Sequence, residues 1–199
     1  MILLGLTGSI GMGKSTTADM FRAEGIPVYD SDRVVHDIYN GPAAMEIERA
    51  FPGATAGGVV DRNRLAAFVL NNPEAMKRLE AIVHPLVWEG RRSFLEEQAS
   101  REEEIAILDI PLLFETGADK DVDAIVVVTA PLETQRERVL ARPHMTAEKF
   151  EAILARQIPD AEKRQRADFI VHTDKGLEAA RAEVRAILAE MRMKKAGKL

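Results

Sequence analysis

The chain has 199 residues, 46% of them hydrophobic and 30% charged, the make-up of a globular protein with one good core and room for an inserted subdomain. A formal charge of −5 lacks the basic excess that polynucleotide binding needs. With no cysteine, disulfides, thiolate zinc sites and cysteine nucleophiles are excluded together.

The first expected element is a short apolar strand, Ile2-Leu3-Leu4-Gly5-Leu6. It runs directly into Gly8-Ser9-Ile10-Gly11-Met12-Gly13-Lys14-Ser15, a complete G-x-x-x-x-G-K-[ST] phosphate-binding loop, and residues from Thr16 to Phe21 continue as a helix. Glycines let such a backbone fold around phosphate oxygens, and the amides of the following helix start point at them. Lys14 is the residue to reach the β- and γ-phosphates, and the Ser15 hydroxyl is placed to ligate Mg²⁺. Gly8, Gly11, Met12, Gly13, Lys14, Ser15 and Thr16 are therefore the expected ATP- and phosphate-binding residues. A start this apolar but short, glycine-broken and without basic residues does not read as a signal peptide, and no stretch has the length of a membrane span. A cytoplasmic enzyme is expected.

Gly25-Ile26-Pro27-Val28-Tyr29 is the candidate second strand, with Asp30-Ser31-Asp32 at its carboxyl end. Residues two apart in a strand project to one side, so both carboxylates could face the crevice where open α/β sheets bind ligands. A carboxylate there could accept the proton of an attacking hydroxyl, as phosphoryl transfer to an alcohol requires. Either aspartate could instead cap the helix beginning at Arg33. Residues 33–95 contain no convincing strand and several helical patterns, punctuated by Asn40-Gly41-Pro42, Phe51-Pro52-Gly53, Asn71-Asn72-Pro73 and His84-Pro85. They read as a helical insertion.

Ile105-Ala106-Ile107-Leu108 is the third strand and ends at Asp109, a position suited to holding Mg²⁺ through water, or simply to turning the chain before Pro111. Ala124-Ile125-Val126-Val127-Val128 is the clearest buried strand and Phe169-Ile170-Val171 a short fifth. Between them, about 135 to 165, lies a stretch with Arg136, Arg138, Arg142, Arg156, Arg164 and, just past it, Arg166 among acids. Such arginines either form solvated surface pairs or supply the cations that P-loop enzymes need above the phosphates. The last helix, from about Leu177 to Met191, puts Ala180, Val184, Ile187, Leu188 and Met191 on one face, and the basic tail from Arg192 through Lys198 is expected to fray. Short apolar runs alternating with amphipathic stretches predict an α/β fold with a parallel sheet. The histidines His36, His84, His144 and His172 show no metal-ligand spacing, and no N-K-x-D sequence marks a guanine site.

These segments, in this order, resemble the dephospho-coenzyme A kinase family over nearly the whole length. The resemblance runs from Leu6-Thr7-Gly8-Ser9-Ile10-Gly11 and Gly13-Lys14-Ser15-Thr16 through Asp30-Ser31-Asp32, Val60-Asp61-Arg62 with Leu65, and His84-Pro85. Its most specific part is Asp109-Ile110-Pro111-Leu112-Leu113-Phe114-Glu115, followed by Gln135-Arg136, Arg138, Arg142, Arg156-Gln157 and Ala167-Asp168. It implies a P-loop NTP hydrolase fold of the nucleoside-monophosphate-kinase type: a five-stranded parallel sheet with a helical insertion and a lid. The core would be 1–32, 96–134 and 166–199, the acceptor (CoA-binding) domain 33–95 and the lid 135–165.

The implied reaction is transfer of a phosphoryl group from ATP to the ribose 3′-hydroxyl of dephospho-CoA, the last step of CoA synthesis, with Mg²⁺. Lys14, Asp32 and Arg142 would be catalytic: Lys14 stabilises the transferred phosphoryl, Asp32 positions or deprotonates the hydroxyl, and Arg142 closes from the lid with Arg136 and Arg138. Asp32, His84, Leu112 and Glu115 would bind the acceptor, while Ser15, with a water-mediated Asp109, would serve the metal. The partners expected are these two small molecules, with no nucleic acid or membrane, for a monomer. The chain departs from the family at Ser31, usually Ala, and at His172-Thr173, where many members have Asn near the adenine. A nucleoside-monophosphate kinase of the same fold, or a non-enzymatic nucleotide-gated module, are the competing readings.

Overall fold

The computed structural model describes residues 1–197. In chain order its elements are β1 (Ile2–Thr7), α1 (Lys14–Ala23), β2 (Val28–Asp30), α2 (Ser31–Tyr39), α3 (Ala44–Ala50), β3 (Thr55–Ala56), β4 (Val59–Val60), α4 (Arg62–Val69) and α5 (Pro73–Ser100). There follow β5 (Ile105–Asp109), β6 (Ala124–Thr129), α6 (Leu132–Leu140), α7 (Ala147–Leu154), α8 (Asp160–Gln165), β7 (Phe169–His172) and α9 (Leu177–Lys195). The chain divides into two compact units, one of residues Met1–Tyr29 and Gln98–Leu199, the other Asp30–Glu97.

The first unit is built on a five-stranded sheet in the order β2-β5-β1-β6-β7, with β1 central and paired in parallel to β5 and β6, and β6 to β7. Side chains alternate across a strand, and both faces here are covered. Leu4, Leu6, Ile105, Ile107, Val126 and Val128 point to one face and pack with Phe21 of α1 and Val184, Leu188 and Met191 of α9. Ile125 and Val127 point to the other, with Leu113 and Phe114. All six residues of β6 are buried, which is why its first five, Ala124 to Val128, are an unbroken apolar run.

The second unit packs α2, α3, α4 and α5 about Ile38, Ile47, Phe51, Leu65, Val69, Leu79 and Val83. The insertion is not wholly helical. Thr55 pairs with Val60 and Ala56 with Val59 in a small antiparallel hairpin. Its two-residue turn is Gly57-Gly58, with φ of 60° and 82°, values that glycine alone adopts without strain and that match the twist of the strands. Helix α5 carries Pro85 inside it.

Two further expectations are corrected. The strand before Asp32 stops at Asp30, whose carboxylate accepts the Arg33 amide at 3.0 Å and caps α2. Asp32 therefore lies in the first turn of a helix, and the two-apart strand spacing does not apply to the pair. The basic tail does not fray from Arg192: α9 continues to Lys195, whose last-turn cations suit the carbonyl end of the helix dipole. Lys198 lies outside the described residues.

Candidate active site

The phosphate loop occupies residues 8–13, between the carboxyl end of the central strand and the start of α1. Gly13 is the N-cap of α1 at φ 92°, so the helix's first amides open toward the loop. The crown of the loop lies directly against α6. A Cβ on Gly11 would sit 2.5 Å from Val139 Cγ2 and 3.0 Å from the Gln135 carbonyl oxygen, and its φ is +79°, so only glycine fits there. Gly8 is similarly close to β6, where a Cβ would stand 2.8 Å from the Val128 carbonyl oxygen.

Lys14 opens α1 and its ammonium pairs with Asp109, the last residue of β5. The register of the sheet explains the meeting: Asp109 stands beside Leu6 on the neighbouring strand, at the edge from which the loop departs. The two side chains are 16% and 3% exposed, so the pair is held in a partly desolvated setting where charge interactions strengthen. Ser15 and Thr16 are exposed in the first turn of α1.

The loop's far side is closed by Thr173, just past β7. Its hydroxyl donates to the Met12 carbonyl at 2.7 Å, while Arg138 donates to that hydroxyl at 2.8 Å and to the Thr173 carbonyl at 2.7 Å. Thr173 is thus a bridge between the P-loop and Arg138 of α6. Arg138, Arg142, Thr173 and Gly176 line a cavity of about 280 Å³ with Gly11, Gly13 and Thr16. Arg142 is exposed and, among the described residues, has no ion-pair partner. By contrast Arg136 pairs with Glu151, Arg164 with Asp160 and Arg166 with Asp119. Of these, Arg136–Glu151 has both side chains exposed, whereas Asp160 also accepts from the Thr129 hydroxyl and Arg166 also lies over the Phe114 ring.

Of the expected acceptor residues, Leu112 is exposed just after β5, and Glu115 is engaged within the first unit. Glu115 Oε1 accepts the Ile158 amide at 2.8 Å and lies 2.9 Å from Lys163 Nζ, a contact close in distance but poorly aligned for a hydrogen bond. Burial pushes the Glu115 carboxyl up, but Lys163 beside it and the Ile158 amide outweigh that and hold it below the ordinary value. Lys163 has no exposed surface, and nothing in its charged neighbourhood of sequence marked it as buried. Asp32 and His84 belong to the second unit. Asp32 is exposed on α2, and His84 is exposed on α5 and stacked against Trp88 one turn on, with ring centroids 6.3 Å apart.

For a divalent metal, the first unit offers oxygen donors at the loop, the Ser15 hydroxyl and the Asp109 carboxylate. Among the described residues no group of three or more His, Cys, Asp and Glu could hold an ion alone. A sparse oxygen set fits Mg²⁺, which keeps most of its waters and shares its ligation with substrate phosphates.

The sequence model described as dephospho-CoA kinase matches residues 2–179. The chain belongs to the dephospho-CoA kinase family. It is 62% identical to a dephospho-CoA kinase of Mesorhizobium japonicum, over 96% of this chain and 98% of that one, and 57% identical to one of Nitrobacter winogradskyi, over 95% of each. Among solved structures, TT1252 from Thermus thermophilus is 40% identical with a TM-score of 0.82, covering 95% of this chain and 97% of that one. The dephospho-CoA kinase of Campylobacter jejuni is 28% identical with a TM-score of 0.63, covering 95% and 96%. The expected α/β fold of a P-loop kinase, with its five-stranded parallel sheet, is the fold observed. Among the described residues no helix is long and apolar enough to cross a membrane.

Proposed function

We infer that this chain transfers the terminal phosphoryl group of ATP to the ribose 3′-hydroxyl of dephospho-CoA, giving CoA and ADP. The observation that carries this reading is the P-loop geometry, with Lys14 at the start of α1 paired to Asp109 on the adjacent strand, in a chain that matches the dephospho-CoA kinase family from residue 2 to residue 179. Residues Gly8 to Thr16 take the phosphates of ATP, and the cavity bordered by Arg138, Arg142, Thr173 and Gly176 takes its base and ribose. Met12 and Gly13 contribute backbone, as the loop geometry supports. Ser15, with Asp109 through water, would hold Mg²⁺, which when bound would neutralise charge on the phosphates.

Phosphoryl transfer asks a protein mainly for position and positive charge. Lys14 changes partners from Asp109 to the phosphoryl oxygens, a short movement for a flexible ammonium. Arg142, exposed and without an ion-pair partner among the described residues, is the lid cation that closes on the transferred group, with Arg136 and Arg138 in the same lid. Arg138 is preset by Thr173, whereas Arg136 is held by Glu151 on the surface and acts less directly. Asp32 orients the acceptor hydroxyl and takes its proton, and His84, Leu112 and Glu115 line the acceptor.

The division of labour follows: residues 33–95 bind the acceptor, 135–165 form the lid, and the rest binds the nucleotide. The enzyme acts in the cytoplasm as a monomer, with ATP and dephospho-CoA as its partners and neither nucleic acid nor membrane. The test is ADP release with Mg-ATP and dephospho-CoA, run beside AMP, CMP and no acceptor. Turnover with dephospho-CoA alone, yielding CoA by mass, is expected. Turnover with a monophosphate would overturn the acceptor, and no turnover with any acceptor despite ATP binding would overturn the enzyme.

A further inference from the structure

Ile10, in the crown of the P-loop, is gripped at both its backbone groups by glutamines from distant parts of the chain. Gln135 Nε2 donates to the Ile10 carbonyl at 2.7 Å, and Gln157 Oε1 accepts from the Ile10 amide at 3.2 Å. The direction of each bond is fixed by chemistry, because a carbonyl only accepts and a backbone N–H only donates. Gln135 sits in α6 and is 2% exposed; Gln157 follows α7, where its own amide is held by the Leu154 carbonyl at 3.0 Å. They lie 125 and 147 residues from Ile10 in sequence, Gln135 in α6 and Gln157 between α7 and α8.

A loop rich in glycine has many conformations, and its amides serve a phosphate best when they are aimed before it arrives. Among the described residues, the backbone bond within the loop itself runs from the Met12 amide to the Ser9 carbonyl, at 3.1 Å. The two glutamines add holds on Ile10 to the one that Thr173 places on the Met12 carbonyl. We infer that Gln135 and Gln157 are positioning residues for the nucleotide's phosphates: by holding the Ile10 carbonyl and amide they keep the P-loop in its phosphate-receiving form. They act through Ile10 rather than by touching the reacting atoms. The inference rests on the triphosphate assignment of the P-loop under the proposed function, and not on the identity of the acceptor.

The experiment is a titration with the fluorescent nucleotide mant-ATP in the presence of Mg²⁺, paired with steady-state kinetics in ATP and dephospho-CoA. Gln135→Met and Gln157→Met keep length and lose the hydrogen bonds. Each is expected to weaken mant-ATP binding and raise the KM for ATP by about tenfold, leaving the KM for dephospho-CoA unchanged. The double variant loses less than the product of the single losses, since either break releases the same residue. Polarity gives the sharper readout. Gln157→Glu keeps the acceptor, Gln135→Glu cannot donate, and both add the same charge near the loop, so Gln135→Glu should bind mant-ATP several-fold more weakly than Gln157→Glu. A merely structural role would lower the melting temperature and show no such asymmetry. Methionine variants that bind mant-ATP like wild type, or glutamate variants that match each other, overturn the inference. If Gln135→Met fails to fold, Gln157→Met decides, by losing nucleotide affinity or retaining it. Loss of mant-ATP affinity in variants of a protein that does not phosphorylate dephospho-CoA would uphold the clamp and overturn only the acceptor.

Discussion

The two compact units are ordered by different kinds of contact. In the first, the polar residues of the nucleotide side are fixed by partners far away in sequence: Lys14 with Asp109 across 95 residues, and Thr173 with Met12 across 161. In the second, polar bonds are mostly closer in sequence, although Arg78 reaches the Ala50 carbonyl across 28 residues. Asp61 caps α4 through the amides of Asn63 and Arg64, and Glu48 gathers the Gly53 and Thr55 amides and the Thr55 hydroxyl, all within seven residues. Hydrogen bonds from Gly53 and Thr55 hold the Glu48 carboxyl below its ordinary value. The candidate chemical residues follow the same division. Most of those on the nucleotide side are built into the carboxyl end of the sheet, whereas Asp32 and His84 are exposed on helices. Substitutions in the second unit should therefore separate activity from stability more cleanly than most in the first.

Arg142 is the informative exception in the first unit, being exposed and without an ion-pair partner among the described residues. Arg142→Ala should lower kcat on the order of 10³–10⁵-fold, as loss of a phosphate-closing arginine does, with the melting temperature unchanged. Steady-state ADP release and a thermal melt on the same preparation check both halves. A small kcat effect would place the essential cation elsewhere. Asp32→Asn should cost about 10²–10⁴-fold in kcat, the usual range for a general base, and again leave stability alone. Turnover within a few-fold of wild type would remove Asp32 from the chemistry.

The opposite behaviour is expected at Glu115 and Lys163. Glu115→Leu leaves the fully buried Lys163 ammonium without its counter-charge, and chemical denaturation should show a loss of about 3–5 kcal/mol. Glu115→Leu with Lys163→Met should recover most of it, because an apolar pair of similar volume needs no desolvated charge. The pH dependence has a definite sign. The folded-state pKa of Glu115 is lowered, so its stabilisation is full above the ordinary carboxylate value of 4.5 and is lost as pH falls through the lowered one. Wild type should lead Glu115→Gln by a constant margin above about pH 4.5 and lose that lead at more acid pH. A margin that persists into acid would show that the Lys163 contact does not depend on the carboxylate charge. If Glu115 also lines the acceptor, Glu115→Gln raises the KM for dephospho-CoA at neutral pH.

What could be read from the sequence divides along the same line. The sheet was legible because β1, β5 and β6 are buried on both faces and so are written as apolar runs, and the P-loop because its spacing is dictated by phosphate geometry. The Gly57-Gly58 hairpin had a local signal, two glycines between Thr55-Ala56 and Val59-Val60, that the surrounding helical pattern masked. Lys163 had none. Whether a lysine is solvated or sealed against a glutamate depends on what the fold brings to it, and Glu115 arrives from the loop after β5. The same holds for Thr173: a hydroxyl near the end of β7 acquires its role only because the sheet order sets β7 beside β6 and the P-loop close by.

The smallest effect is the one that best separates two neighbouring carboxylates. Asp30 and Asp32 stand two residues apart, but Asp30 caps α2 through the Arg33 amide while Asp32 is exposed in the helix's first turn. Asp30→Ala should cost about 1 kcal/mol of stability, the ordinary worth of an N-cap, with kcat within a few-fold of wild type. Asp30→Asn, which caps equally well, should cost neither, whereas the same change at Asp32 removes activity. If Asp30→Asn instead lowers kcat with stability intact, the carboxylate charge at Asp30 matters to the reaction, and the pair acts together.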